Sequence, residues 1–184
     1  MKKITLLFAL MLTLVTMAQN EEKLPYYEIP ENPDIYTAGA VAARMVDALG
    51  FRYYWATEGL KAEDLAFKAS ESGRTSAETI NHIFGLTNFI LGNISTNKNR
   101  SEQKELTFTE KRKQTLLNIK ETSDILKHMD DLSKFDNDRF PFWNIINGPI
   151  SDALWHCGQI VMLRRASGNP FNSKVSVFTG KLRE

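Results

Sequence analysis

An aspartate and a histidine four positions apart in a helix stand one turn above the other on a shared face. Asp152 and His156 have this spacing, and Gln159 and Leu163 continue their stripe, whereas Ile150, Leu154, Cys157 and Val161 fall on another. A carboxylate and an imidazole so placed can grip one cation, and helical cores are where facing helices commonly build metal sites. A third ligand is wanted. His82 can supply it from a separate apolar segment, where it shares a stripe with Leu86 and Phe89. The same spacing equally serves a structural pair, Asp152 bonded to His156, with His82 a satisfied interior histidine. Spacing alone does not choose between the two. Glu78, one turn before His82, can shuttle a proton unless the helix end claims it as a cap, and Gln159 can brace the site or touch a substrate.

Other reactive side chains read as structural. His128, in His128-Met129-Asp130-Asp131, suits the solvated end of a helix. Cys157 neighbours His156 but projects about 100 degrees away around the helix, so it reads as core filler. Tyr53, Tyr54, Trp55, Trp143 and Trp155 could line a cleft, though aromatic residues in helices more often fill cores. Arg164 and Arg165 offset the dipole at the end of the last helix.

The elements that must position these groups are legible from periodicity and caps. Ala38, Val41, Ala42, Met45, Val46, Leu49 and Tyr53 predict a first helix over about 36–58, stopped by Gly59, with Gly50 a possible kink. Thr75 and Glu78 form a capping box for a second helix. Ile80, Ile83, Thr87, Ile90 and Ile94 lie on one side of it and Leu86 and Phe89 on the other, which predicts burial all round. Ser95 to Glu105 reads as a loop. Thr107 and Glu110 cap a third helix whose apolar positions run to Met129 and Leu132. Asn147-Gly148-Pro149 marks the start of the last, ended by Gly168 and Pro170. With no convincing strand runs, these four segments predict an all-α fold, a four-helix bundle. An extended arm over 19–33 precedes the domain at 34–184, whose tail from about 169 alternates apolar and polar residues.

Composition bounds the setting. The chain has 184 residues with 23 Lys and Arg against 22 Asp and Glu. Met1-Lys2-Lys3, an apolar run from Ile4 to Val15 and small residues at Thr16 and Ala18 read as a signal peptide over 1–18, cut after Ala18. The run is shorter than the roughly 20 residues that span a bilayer. A periplasmic or secreted protein is expected, with no membrane association after cleavage. Loss of Lys2 and Lys3 leaves 21 basic residues against 22 acidic, which does not steer the protein toward nucleic acid. The single cysteine excludes an intramolecular disulfide, so the fold must rest on packing.

The string Asp152-Ala153-Leu154-Trp155-His156-Cys157-Gly158-Gln159, followed by Leu163-Arg164-Arg165 and Gly168, resembles the last-helix signature of the DinB-like (DinB/YfiT) superfamily. Ala77-Glu78-Thr79-Ile80-Asn81-His82-Ile83 likewise resembles that family's second-helix motif. The likeness spans roughly Tyr36 to Gly168. It implies a four-helix bundle with a divalent ion, zinc or nickel first and manganese or iron next, held by His82, Asp152 and His156. Asp152 stands where the family usually has histidine, and Cys157 where it has arginine. Two histidines and a carboxylate still form a competent set for zinc or non-haem iron. The resemblance also implies pairing of two copies and an enzyme acting on a small molecule. Among the family's activities, thiol-dependent S-transfer suits an exported protein poorly, since reduced thiol cofactor is scarce there. Metal-dependent hydrolysis, which needs only water, is the expected activity; the alternative is a non-catalytic envelope binding or stress protein.

Overall fold

The computed structural model describes residues 23–96 and 105–184, so the expected signal peptide, the start of the expected arm and most of the expected loop over 95–105 lie outside the described residues. The chain is mainly helical. Four long helices, α1 (Ala38–Thr57), α3 (Ser76–Ile94), α4 (Phe108–Leu126) and α6 (Ser151–Ala166), are accompanied by the short α2 (Ala62–Ala66) and α5 (Phe142–Ile145). Both α1 and α3 pack on α4 and α6, so these consecutive long helices occupy opposite corners of the arrangement. No described helix is long and apolar enough to cross a membrane.

The helix starts follow from their caps. The Thr37 hydroxyl accepts the Ala40 amide to open α1, and Thr75 with Glu78 and Thr107 with Glu110 form the two capping boxes. Gly59 and Gly168 take positive φ, 68° and 90°, just beyond the ends of α1 and α6, the left-handed exit that an L side chain resists. Gly50 does not kink α1. The helix runs through it, and a Cβ there would lie 2.5 Å from the ring of Tyr26, which packs flat on the bare backbone. That ring is buried and its hydroxyl donates to Asp47 at 3.0 Å, so the described part of the arm packs onto the domain.

Three other expectations need correction. The third helix ends at Leu126, because Gly39 of α1 takes the Met129 carbonyl and Asp131 starts a separate 3-10 turn over Leu132–Phe135. The last helical stretch does not begin at Asn147. It begins at Phe142 and passes through a wide π turn, Ile146–Ile150, that absorbs Pro149 within it; the Ser151 hydroxyl donates to the Ile146 carbonyl at 2.8 Å. The tail contributes a two-stranded antiparallel hairpin, β1 (Val175–Ser176) with β2 (Lys181–Leu182), which packs with Tyr27 and Ile29 of the arm over Phe51 and Trp55.

The main core is aliphatic: Val46, Leu49, Ile80, Ile83, Leu116, Ile119, Ala153 and Ile160, with Cys157 among them. Where α1, α2 and α6 end together, a polar knot replaces it. Arg164, buried, donates from Nη1 to the carbonyls of Trp55, Ala56 and Glu58, each at 3.0 Å, and from Nε to the Asn169 carbonyl at 2.7 Å. It therefore caps the C-terminus of α1 rather than only its own helix. Asp64 accepts from Ser167, Asn169 and the Lys61 amide beside it. Replacing Arg164 with methionine should lower stability by about 3–5 kcal/mol, because four carbonyls lose their donor and Asp64 its nearby cation in a dry setting; chemical denaturation measures it. Burial pushes the Asp64 carboxyl upward, but the bonds from Ser167, Asn169 and Lys61 outweigh it and hold it below the ordinary range. A carboxylate with a lowered folded value stabilises above the unfolded value and loses that contribution as pH falls through the folded one. Asp64→Asn should accordingly flatten the acid limb of the melting temperature against pH, leaving neutral-pH unfolding earlier than in the parent.

Candidate metal centre

Residues on α3 and α6 converge at one point. Ile80 and Ile83 turn the core side of α3 inward, and His82 falls off that side toward α6. Ala153, Cys157 and Ile160 do the same for α6, which packs against α3. Asp152 and His156 are thereby set against His82. One Asp152 oxygen lies 3.0 Å from His82 Nε2 and the other 3.3 Å from His156 Nε2. The two imidazoles meet edge to face, 4.6 Å between centroids.

Ligand atoms of all three residues lie within 4.8 Å of one another, close enough to hold one metal ion. An ion bound at about 2.0 Å in tetrahedral geometry sets its ligands about 3.3 Å apart, so small side-chain adjustments would bring the three donors around one ion. The donor set, two imidazoles and one carboxylate, suits zinc or iron(II). Access is one-sided. The His156 side chain is 11% exposed, whereas His82 and Asp152 are 35% and 41% exposed, so the cluster is sealed toward the core and open toward solvent.

Gln159 lies where the sequence stripe put it. Its Oε1 is 2.7 Å from His156 Nδ1. With that carbonyl oxygen as acceptor, the proton of the imidazole resides on Nδ1 and the Nε2 lone pair faces Asp152, the tautomer a metal ligand requires. Glu78 is claimed by the cap. Its carboxylate accepts the Thr75 amide at 2.7 Å and the Thr75 hydroxyl at 3.1 Å, and these bonds hold its pKa below the usual range, so Glu78 serves the helix end and not a proton shuttle.

The surroundings differ from expectation in one respect. The side of α3 that carries His82, Leu86 and Phe89 is only partly covered: His82 and Leu86 are half-buried, Leu86 against the main core, while Phe89 is exposed and meets the Phe140 ring at 6.0 Å between centroids. A helix rich in apolar residues reads as enclosed, yet here one face is buried and the other half-covered. Cys157 is core filler, its thiol pushed up to about 12 by burial, and His128 is exposed. Tyr53 and Trp55 are buried, while Trp143 and Trp155 are exposed, so the aromatic residues do not form one cleft. Neither the protein-family models, the curated proteins nor the solved structures include a match to this chain, so the site stands on its own geometry.

Proposed function

We propose that this chain is an exported divalent-metal protein of DinB-like type, a four-helix bundle acting as a metal-dependent hydrolase on a small molecule. The observation that carries the reading is the convergence of His82, Asp152 and His156 within 4.8 Å, from two helices, with one side open. Two imidazoles and one carboxylate offer a divalent cation three donor groups. A bound divalent ion, zinc or nickel in preference to manganese or iron, would polarise a substrate carbonyl or phosphoryl oxygen there and acidify water.

The chain's own groups do the rest. Gln159 fixes the His156 ring and its proton. Asp152 has two oxygens facing different imidazoles, so one can serve as ligand while the other accepts the proton that the attacking water releases as its oxygen bonds to the substrate, and returns that proton to the leaving group as its bond to the same carbonyl carbon or phosphorus breaks. The aspartate in place of a third histidine softens the positive charge at the site, which suits a substrate already activated for attack better than an unreactive one.

Two outcomes test this. Protein purified without chelator should carry about one equivalent of a divalent metal by inductively coupled plasma mass spectrometry, and His156→Ala should carry none while keeping its helical circular dichroism. Metal-free parent protein that zinc, nickel, manganese and iron(II) all fail to stabilise against heat would sink the proposal, since an ion bound only by the folded state must raise the midpoint. Gln159→Leu should retain one-to-one zinc stoichiometry with affinity lowered about 10- to 100-fold, the usual penalty for removing a group that orients a ligand histidine; competition against a fluorescent chelator reads it.

A further inference from the structure

Beside the three converging side chains, an open groove of about 790 Å³ runs along α6, lined at one end by His156 and Trp155 and farther on by Met162, Leu163 and Ala166. Its volume falls in the range of small-molecule sites. From Trp155 to Ala166 it follows eleven residues, about 16 Å of helix rise, so it suits an elongated occupant. His82 and Asp152 do not line it, and an occupant lies alongside them, on the Nδ1 side of His156.

The lining is chemically two-sided. Trp155 and Met162 are 74% and 68% exposed, large apolar side chains held out of the core on the same face. Gly158 between them is bare, with no atom within 4 Å of where its Cβ would stand, so the groove floor there is backbone. The charged group in the lining is Arg74, just before the α3 N-cap. It helps hold the Glu78 carboxyl low but forms no hydrogen bond or ion pair among the described residues; Glu78 is occupied by Thr75. Gln159 gives its carbonyl oxygen to His156, which leaves its amide donors without a partner among the described residues at the groove's inner end. An apolar trough with a guanidinium in its wall and amide donors at its inner end matches one ligand chemistry.

We infer that the groove binds an amphiphilic carboxylate, its chain or ring system laid over Trp155, Gly158 and Met162 and its anion paired with Arg74. The guanidinium fork fits a carboxylate in two parallel bonds, and exposed aromatic and thioether side chains shed water onto an apolar stem. That this occupant is a substrate rests on the metal reading above; that it binds does not.

Calorimetric titration of the full chain with decanoate, kept below its micelle concentration, tests the inference. Saturable one-to-one binding is expected. Arg74→Gln should weaken it at least about tenfold, as loss of a charge-assisted pair does, and decanol should bind the parent correspondingly weakly. Gly158→Leu should abolish it while leaving the fold intact, since leucine is the better helix former and its Cβ meets open space. No saturable binding by the parent, or binding that Gly158→Leu leaves unchanged, would overturn the groove. Equal binding by Arg74→Gln would overturn the anion assignment. Zinc alone, titrated into the same three proteins, should bind all of them alike; its absence from all three would strike the metal reading only, and the decanoate result would still decide the groove.

Discussion

The register between α3 and α6 is the constraint on which everything else depends. His82 reaches Asp152 and His156 only while Ile80 and Ile83 of α3 and Ala153, Cys157 and Ile160 of α6 all face the same core. A slip of one residue would rotate a helix by about 100 degrees, and a slip of one turn would move a ligand about 5.4 Å, more than any ion could bridge. Close packing forbids both, because each would expose isoleucines now 0–2% accessible and drive His82 or Asp152 into the interior.

Both ends of α6 are pinned by polar devices that the core does not need for its own sake. At the start, the π turn fits Pro149 into a continuous helical path and sets the rotation at which Asp152 emerges in the first turn of α6. At the other end, Arg164 ties the last turn to the carbonyl terminus of α1, and Ser167 and Asn169 tie it to Asp64. A charged residue is a demanding choice for a buried brace, since desolvation opposes it. Four carbonyl acceptors and the neighbouring carboxylate offset that penalty and fix the axial position of the helix more sharply than apolar packing would. The site is thus held by groups that never touch it.

Much of this was legible in the residues. The capping boxes at Thr75 and Thr107 locate α3 and α4 because a side-chain cap is a local event, settled by residues three apart. The i to i+4 pairing of Asp152 with His156 and the bracing by Gln159 are equally local consequences of helix geometry. What depends on distant neighbours was not legible. Nothing near Gly50 announces the ring of Tyr26, so the glycine reads as a weak point instead of a packing surface. Arg164 reads as a surface charge because its acceptors lie more than a hundred residues away. The partial cover of α3 has a related cause: Phe89 looks like core, and only the placement of distant residues shows that Phe140 shields it in part. Pro149 signalled a helix start by its usual preference, and only the wide turn around it lets the helical stretch begin earlier, at Phe142.

The central claim is that one ion is shared by these three side chains, and anomalous scattering measures this directly. In crystals grown with zinc, a difference map at the zinc absorption edge should show one strong peak about 2.0–2.2 Å from His82 Nε2, from His156 Nε2 and from an Asp152 oxygen. A map with no peak between α3 and α6, or with the zinc held by other residues while His82 and Asp152 keep their direct hydrogen bond, would contradict the account.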